Sequence, residues 1–202
     1  RGWLMKLSFI LEQAKSGELA SLSAVNKSDE IIVSYINLGL IELFKRFNVS
    51  VKAEVVKTSP TTPFYTLRNS DINLVLSCLS SEGVELTKQM SIGDTEYDIK
   101  MINNTSFLLT NPTDTELLFI YRASSEIITT TTVDVELPSV MLEALLHYVG
   151  YRAHGSVNGE INSESNTHYM RFEKSCNVLK AEGYDTLSAE LISQPIGLKG
   201  FA

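Results

Sequence analysis

The sequence predicts an α+β fold: a helical bundle built from N- and C-terminal helices, an inserted antiparallel β-sandwich or barrel-like domain, and an extended C-terminal tail. Three observations predict it. Apolar residues keep a helical period as far as Phe47, then switch to a period of two over residues 49–137. The helical period returns at Pro138 and stops at Gly183. An apolar but irregular stretch follows. The expected segments are residues 1–48 and 138–183 for the bundle, 49–137 for the β domain and 184–202 for the tail.

In the first segment Trp3, Leu7, Ile10, Leu11 and Ala14 recur at helical spacing, and Gly17 can end that turn. Met5 is a candidate natural start behind Arg1 to Leu4. The apolar run at residues 7–11 is too short for a signal segment and meets Glu12 at once, so a cytosolic product without a targeting segment is expected. A second helix starts at Ser28, whose hydroxyl can accept a backbone N–H, with Asp29 and Glu30 complementing the positive helix start. Its stripe is Ile32, Ile36, Leu40, Leu43 and Phe47. Ile31, Leu38 and Ile41 lie off that stripe, so the helix is expected to pack on two sides.

Val49, Val51, Ala53 and Val55 alternate with polar residues as a half-buried strand does. Further strands are expected at residues 64–68, 74–79, 84–86, 97–101, 107–110 and 117–122. Between them Ser81-Glu82-Gly83 and Asn111-Pro112-Thr113-Asp114 supply turn chemistry. Residues 127–137 close the domain with four consecutive threonines and the alternation Val133, Val135, Leu137. Short strands at this spacing suggest a small antiparallel sandwich or barrel.

Pro138 suits a first helical turn. Met141, Leu142, Leu145, Leu146, Tyr148 and Val149 leave that helix almost without a polar face, and Glu143 and Arg152 carry its charge. Such a helix is central to its own bundle or lies in a subunit interface, and Met141, Leu145, Tyr148 and Arg152 are the candidate interface residues. A last helix at residues 160–182 carries the stripe Ile161, Ser165, Tyr169, Phe172, Cys176 and Leu179, with a polar opposite face and Gly183 behind it.

Composition narrows the function. A net charge of -7 and a pI near 5.0 argue against a dedicated nucleic-acid binder. No stretch has the roughly 18–20 apolar residues of a membrane span. Two cysteines give no disulfide framework. The chain has no G-x-S-x-G elbow, no phosphate-binding loop and no dinucleotide fingerprint. Cys78 and Cys176 fall within strand and helix patterns, where buried thiols are inert. Asp94, Glu96 and Asp98 read as a solvated strand face, and Asn103-Asn104-Thr105 as a hairpin turn. Glu143, His147 and His154 share a helix face, and Glu164 precedes His168 by one turn on the next helix. No second pair has metal-ligand spacing, so neither a metal nor another cofactor is expected. The tail, with Leu191, Ile192, Ile196, Leu198 and Phe201 punctuated by Pro195, Gly197 and Gly200, reads either as an arm that orders on a partner or as a strand docked on its own domain.

Several segments together resemble a known family. Leu137-Pro138 followed by Leu142-Glu143-Ala144-Leu145-Leu146-His147-Tyr148-Val149-Gly150-Tyr151-Arg152-Ala153, then Tyr169-Met170-Arg171-Phe172-Glu173, resemble segments of tailed-phage head–tail adaptor proteins. Tyr35-Ile36-Asn37 with Leu40, and the strand Leu118-Phe119-Ile120-Tyr121-Arg122, are similar to two more, in the same order, over residues 7–183. Ser124-Ser125 stands where the family commonly has a proline, and the threonine run is longer than expected.

The resemblance implies a virion structural protein, not an enzyme, assembled in the host cytoplasm. Such proteins form a ring, commonly of twelve copies, below the portal, and join it to a downstream neck or tail protein. It also implies a portal-binding tail, which by position gives Ile192, Pro195, Ile196, Leu198 and Phe201 here. DNA would pass through the ring without sequence-specific binding, and an acidic rim or lining suits passage because basic walls would hold phosphates. Two rival readings are a ligand- or carbohydrate-binding β-sandwich module and a metal-dependent enzyme using His147, His154 and His168.

Overall fold

The computed structural model describes residues 4–23, 27–88, 98–130, 132–157 and 163–186. In chain order its elements are β1 (Leu4–Lys6), α1 (Leu7–Ser16), α2 (Asp29–Arg46), β2 (Val51–Lys57), β3 (Phe64–Thr66), β4 (Ile72–Leu79), β5 (Ile99–Met101), β6 (Ser106–Leu109), β7 (Glu116–Ala123), β8 (Asp134–Glu136), a 3-10 turn (Ser139–Met141), α3 (Leu142–Val157) and α4 (Ser163–Ala181). The chain is thus mixed α+β, with four α-helices and antiparallel sheets, none closed into a barrel among the described residues. Contacts divide it into two compact units. The helical unit joins the residues up to Ser50 to Ser125–Thr186, and the β unit is Val51–Ser124.

The helical unit is organised by α2 and α3. Ser28 caps α2 by accepting the Ile31 N–H at 3.4 Å, and Lys45 and Arg46 face the negative helix end. Ile32, Ile36, Leu40, Leu43 and Phe47 are all buried, as the stripe predicts. They form one core with Leu7, Ile10 and Ala14 of α1, with Met141, Ala144, Leu145 and Val149, and with Phe172, Cys176 and Leu179 of α4. α2 and α3 meet at Gly39, where a Cβ would stand 2.6 Å from Leu145 Cδ1 and 3.2 Å from Tyr148 Cδ1. α4 ends as expected at Gly183, with the Tyr184 N–H donating to the Leu179 carbonyl at 3.1 Å. Tyr184 then accepts the Asn48 N–H, and Asp185 accepts from the Asn48 side chain, so the chain just beyond α4 is fastened to the end of α2.

The β unit holds two three-stranded antiparallel sheets, ordered β2-β7-β4 and β3-β6-β5. β7 is the central strand of the first. That position explains its nearly continuous apolar run, because both of its edges are paired. Val51, the first residue of β2, is the register partner of Arg122 near the end of β7. Both sheets feed one core: Phe107 of β6 lies 4.4 Å from Phe119 of β7, centroid to centroid, and 5.5 Å from Tyr65 of β3. The β5–β6 hairpin turns at Asn103, whose side-chain oxygen accepts the N–H groups of Thr105 and Ser106 at 2.9 and 2.8 Å.

The structure corrects three sequence expectations. Leu4–Lys6 is a strand, not the first turn of a helix. It pairs antiparallel with Asp134–Glu136, the only strand among the described residues of the closing run at residues 127–137. Local alternation records a strand but not its partner, and this partner lies far along the chain, at Asp134–Glu136. Contacts group Val51–Ser124 as one unit and place Asp134–Glu136 with the helical unit. Residues 84–86 form only an isolated bridge of Glu85 to Leu79. The acidic residues Asp94 and Glu96 lie outside the described residues. No described helix is long and apolar enough to cross a membrane.

Candidate functional site

The helix expected either to be central to its own bundle or to lie in a subunit interface is packed by its own chain. Met141 and Leu145 are 0% exposed and Tyr148 is 9% exposed. The Tyr148 ring packs edge-on against Tyr151 and Phe172, at 5.8 and 5.1 Å. Of the four candidate interface residues only Arg152 is exposed, with its guanidinium 5.9 Å from the Tyr151 ring centre. The all-round apolarity of α3 comes from packing on α1, α2 and α4 at once. Ile192, Pro195, Ile196, Leu198 and Phe201 lie outside the described residues.

An outward apolar strip lies on α4 instead. Met170 is 72% exposed and Val178 51%, and together with Tyr169, Asn177 and Ala181 they line one shallow groove. The sequence predicts a polar face opposite the stripe of this helix, yet Met170 and Val178 stand exposed beside Lys174 and Asn177. One edge of the groove is held by Glu173, whose two oxygens stand 2.9 and 3.0 Å from two guanidinium nitrogens of Arg46. The same guanidinium lies 4.9 Å from the Phe172 ring centre. Arg46 holds the Glu173 carboxyl below the usual carboxylate range, against the opposing effect of burial.

The structure also brings His147, His154 and His168 together around Glu18, a residue in the turn after α1. Glu18 Oε1 lies 3.1 Å from His147 Nδ1, and Oε2 lies 2.7 Å from His168 Nδ1. Both ring nitrogens are buried and neither has hydrogen-bond geometry, so the carboxylate oxygens stand off the N–H axes. His154 Nε2 contacts the Glu18 carbonyl at 2.9 Å, and its Nδ1 faces Glu164 Oε2 at 3.3 Å. The His154 and His168 rings stack at 4.8 Å and 19°. His147 Nε2 faces Glu143 Oε1 at 3.4 Å. Burial pushes the His168 pKa below its ordinary value, with Glu18 opposing and Arg171 adding to the lowering.

Gly150 makes room for this cluster. A Cβ there would stand 2.8 Å from His168 Nδ1 and 3.1 Å from Cε1. His147 and His154 were on one helix face by spacing, and the structure adds His168 and Glu18. Glu18 was invisible in the sequence, because it stands 129 positions before His147. The glycine inside α3 was the available signal for a close approach.

Compared with known proteins, residues 13–192 match the family model described as SU10 adaptor protein. No curated protein matches the chain.

Proposed function

The chain belongs to the SU10 adaptor protein family, and from that premise we propose a structural adaptor of a bacteriophage virion, not an enzyme. The observation that carries the reading is the family match over most of the chain. In finer detail the proposal is a ring, of twelve copies in the form common to such adaptors, that docks below the portal and joins it to the next neck or tail protein. The helical unit is read as the bundle and the β unit as the inserted sandwich-like domain. Residues 184–202 are proposed to seat on the portal, with Ile192, Pro195, Ile196, Leu198 and Phe201 as its anchors.

Met141, Leu145 and Tyr148 are buried in the chain's own core, so of the α3 candidates Arg152 keeps its proposed place at a subunit contact and α4 is added to it. Met170 and Val178 form an exposed apolar strip with Lys174 and Glu173 at its margin, a composition suited to contact between neighbouring copies. The acidic excess of the chain is proposed to rim or line the channel, where it keeps passing DNA from adhering.

Mixing the full chain with its portal and imaging by negative stain tests the proposal. A ring seated on the portal is the expected result. Deleting residues 194–202 is expected to abolish seating while the circular dichroism spectrum stays native. Absence of any portal complex with the full chain overturns the reading.

A further inference from the structure

We propose that Glu18, His147 and His168 bind one divalent transition-metal ion of the zinc class. Two imidazole nitrogens and a carboxylate form a donor set that holds Zn²⁺ with one coordination position open. The donor atoms of these three side chains all lie within 4.8 Å of one another. Around a tetrahedral ion with bonds of about 2.0–2.1 Å, donors stand roughly 3.3 Å apart. The two Glu18–histidine separations, 3.1 Å to Oε1 and 2.7 Å to Oε2, lie near that value, and no donor pair exceeds 4.8 Å, so side-chain rotation can bring the three donors to it.

The second observation is the state of the two nitrogens. His147 Nδ1 and His168 Nδ1 are buried, lack hydrogen-bond geometry and converge on the two oxygens of one carboxylate. Buried nitrogens in protein interiors normally find a hydrogen-bond partner, so two orphans sharing one anion form a site short of a cation. The outer contacts fit as well. His147 turns its other nitrogen toward the Glu143 carboxylate, the arrangement that orients a metal-bound imidazole and raises its basicity. His168 is fixed from one side by the His154 ring and from the other by the space at Gly150. Two surface clefts reach the donors, one lined by Glu18 and His168 and one by His147. The three donors come from the turn after α1, from α3 and from α4, so one ion would tie three segments together. His154, Glu164 and His168 form a second possible set, but Glu164 is well exposed and both Nδ1 orphans belong to the first.

The full chain without a histidine tag, stripped of metal, is titrated with Zn²⁺ alone by calorimetry and then with Co²⁺ for its visible spectrum. Native protein is expected to bind one Zn²⁺ per chain, to melt higher with it, and to give the intense d–d bands of four-coordinate Co²⁺. Glu18→Gln and His147→Gln are each expected to weaken binding at least tenfold with unchanged circular dichroism in the metal-free state. Glu164→Gln is expected to bind within twofold of native. Glu18→Gln is nearly isosteric at a partly exposed position, so it stays informative if His147→Gln fails to fold. No stoichiometric binding by native protein, undiminished binding by Glu18→Gln, or a loss in Glu164→Gln as large as in Glu18→Gln would each overturn the assignment. None of these outcomes depends on ring formation or on the portal.

Discussion

Asn37 holds both backbone polar groups of Ile128: its amide nitrogen donates to the Ile128 carbonyl at 3.0 Å, and its oxygen accepts the Ile128 N–H at 2.8 Å. The amide of a helical side chain thus stands in for a neighbouring strand and fixes the returning chain to α2. Replacing it leaves two backbone groups without this partner. Asn37→Leu is expected to lose about 1–3 kcal/mol in urea unfolding, and Asn37→Asp, which keeps only the acceptor, less. An unchanged midpoint in Asn37→Leu would show that water satisfies Ile128 equally well.

Gly150→Ala sets two effects against each other. A methyl group at that position meets the buried His168 ring at 2.8–3.1 Å, and such overpacking costs about 1–3 kcal/mol. Alanine in a helix interior returns about 1 kcal/mol. A net loss of about 1 kcal/mol is expected, because a ring stacked on His154 has little room to retreat. Denaturant unfolding of Gly150→Ala beside the native chain measures the difference.

The Arg46–Glu173 pair gives a pH dependence with a definite sign. The Glu173 carboxyl ionises below its reference value of 4.5, chiefly through the hydrogen bond from Arg46. Its contribution to stability is therefore complete above that reference value and fades as pH falls through the lower folded value. Glu173→Gln is expected to flatten the acid limb of stability below the reference value of 4.5, with little change in slope above it. At neutral pH, Arg46→Met is expected to lose about 1 kcal/mol, small because both partners remain partly exposed. An acid limb identical in native protein and Glu173→Gln would remove this carboxylate from the account.

Both thiols are buried, and burial pushes Cys78 up to about 12 and Cys176 up to about 11. Thiolate is the reactive form, so neither residue is expected to react with a disulfide reagent in native protein at neutral pH. Both are expected to react at once in strong denaturant. Rapid labelling of one thiol in native buffer would identify a unit that opens locally.

The stripe of α2 was legible because every fourth residue faces one core and the cap residue stands directly before it. The β unit's strands were legible where a hairpin turn lay beside them, as at Asn103. What escaped the sequence depends on partners distant along the chain. Leu4–Lys6 lies between Trp3 and Leu7, which share a helical spacing in the sequence, yet its backbone bonds go to Asp134–Glu136. Met141, Leu145 and Tyr148 looked like an excess of apolar surface because three other helices cover α3, and periodicity does not count neighbours. Of the histidine site, the face shared by His147 and His154 was readable. The approach of Glu18 and the stacking of His168 were not, since each is set by how α1 and α4 lie on α3. Met170 and Val178 were hidden for the opposite reason: isolated apolar residues among lysines and asparagines blend into a solvated face.

The pairing of Val51 with Arg122 has a consequence for how this chain can change. Opposite residues of an antiparallel pair have Cα atoms only about 4.5–5.5 Å apart, so everything between them departs and returns through one narrow doorway. A chain joined directly across that doorway by a tight turn skips the β unit with little loop-closure cost, and a different module can occupy the same gap. The β unit is in this sense a removable cartridge. The helical core, the Asn37 clasp and the histidine cluster draw all their described residues from outside Val51–Arg122, so their contacts do not pass through the cartridge.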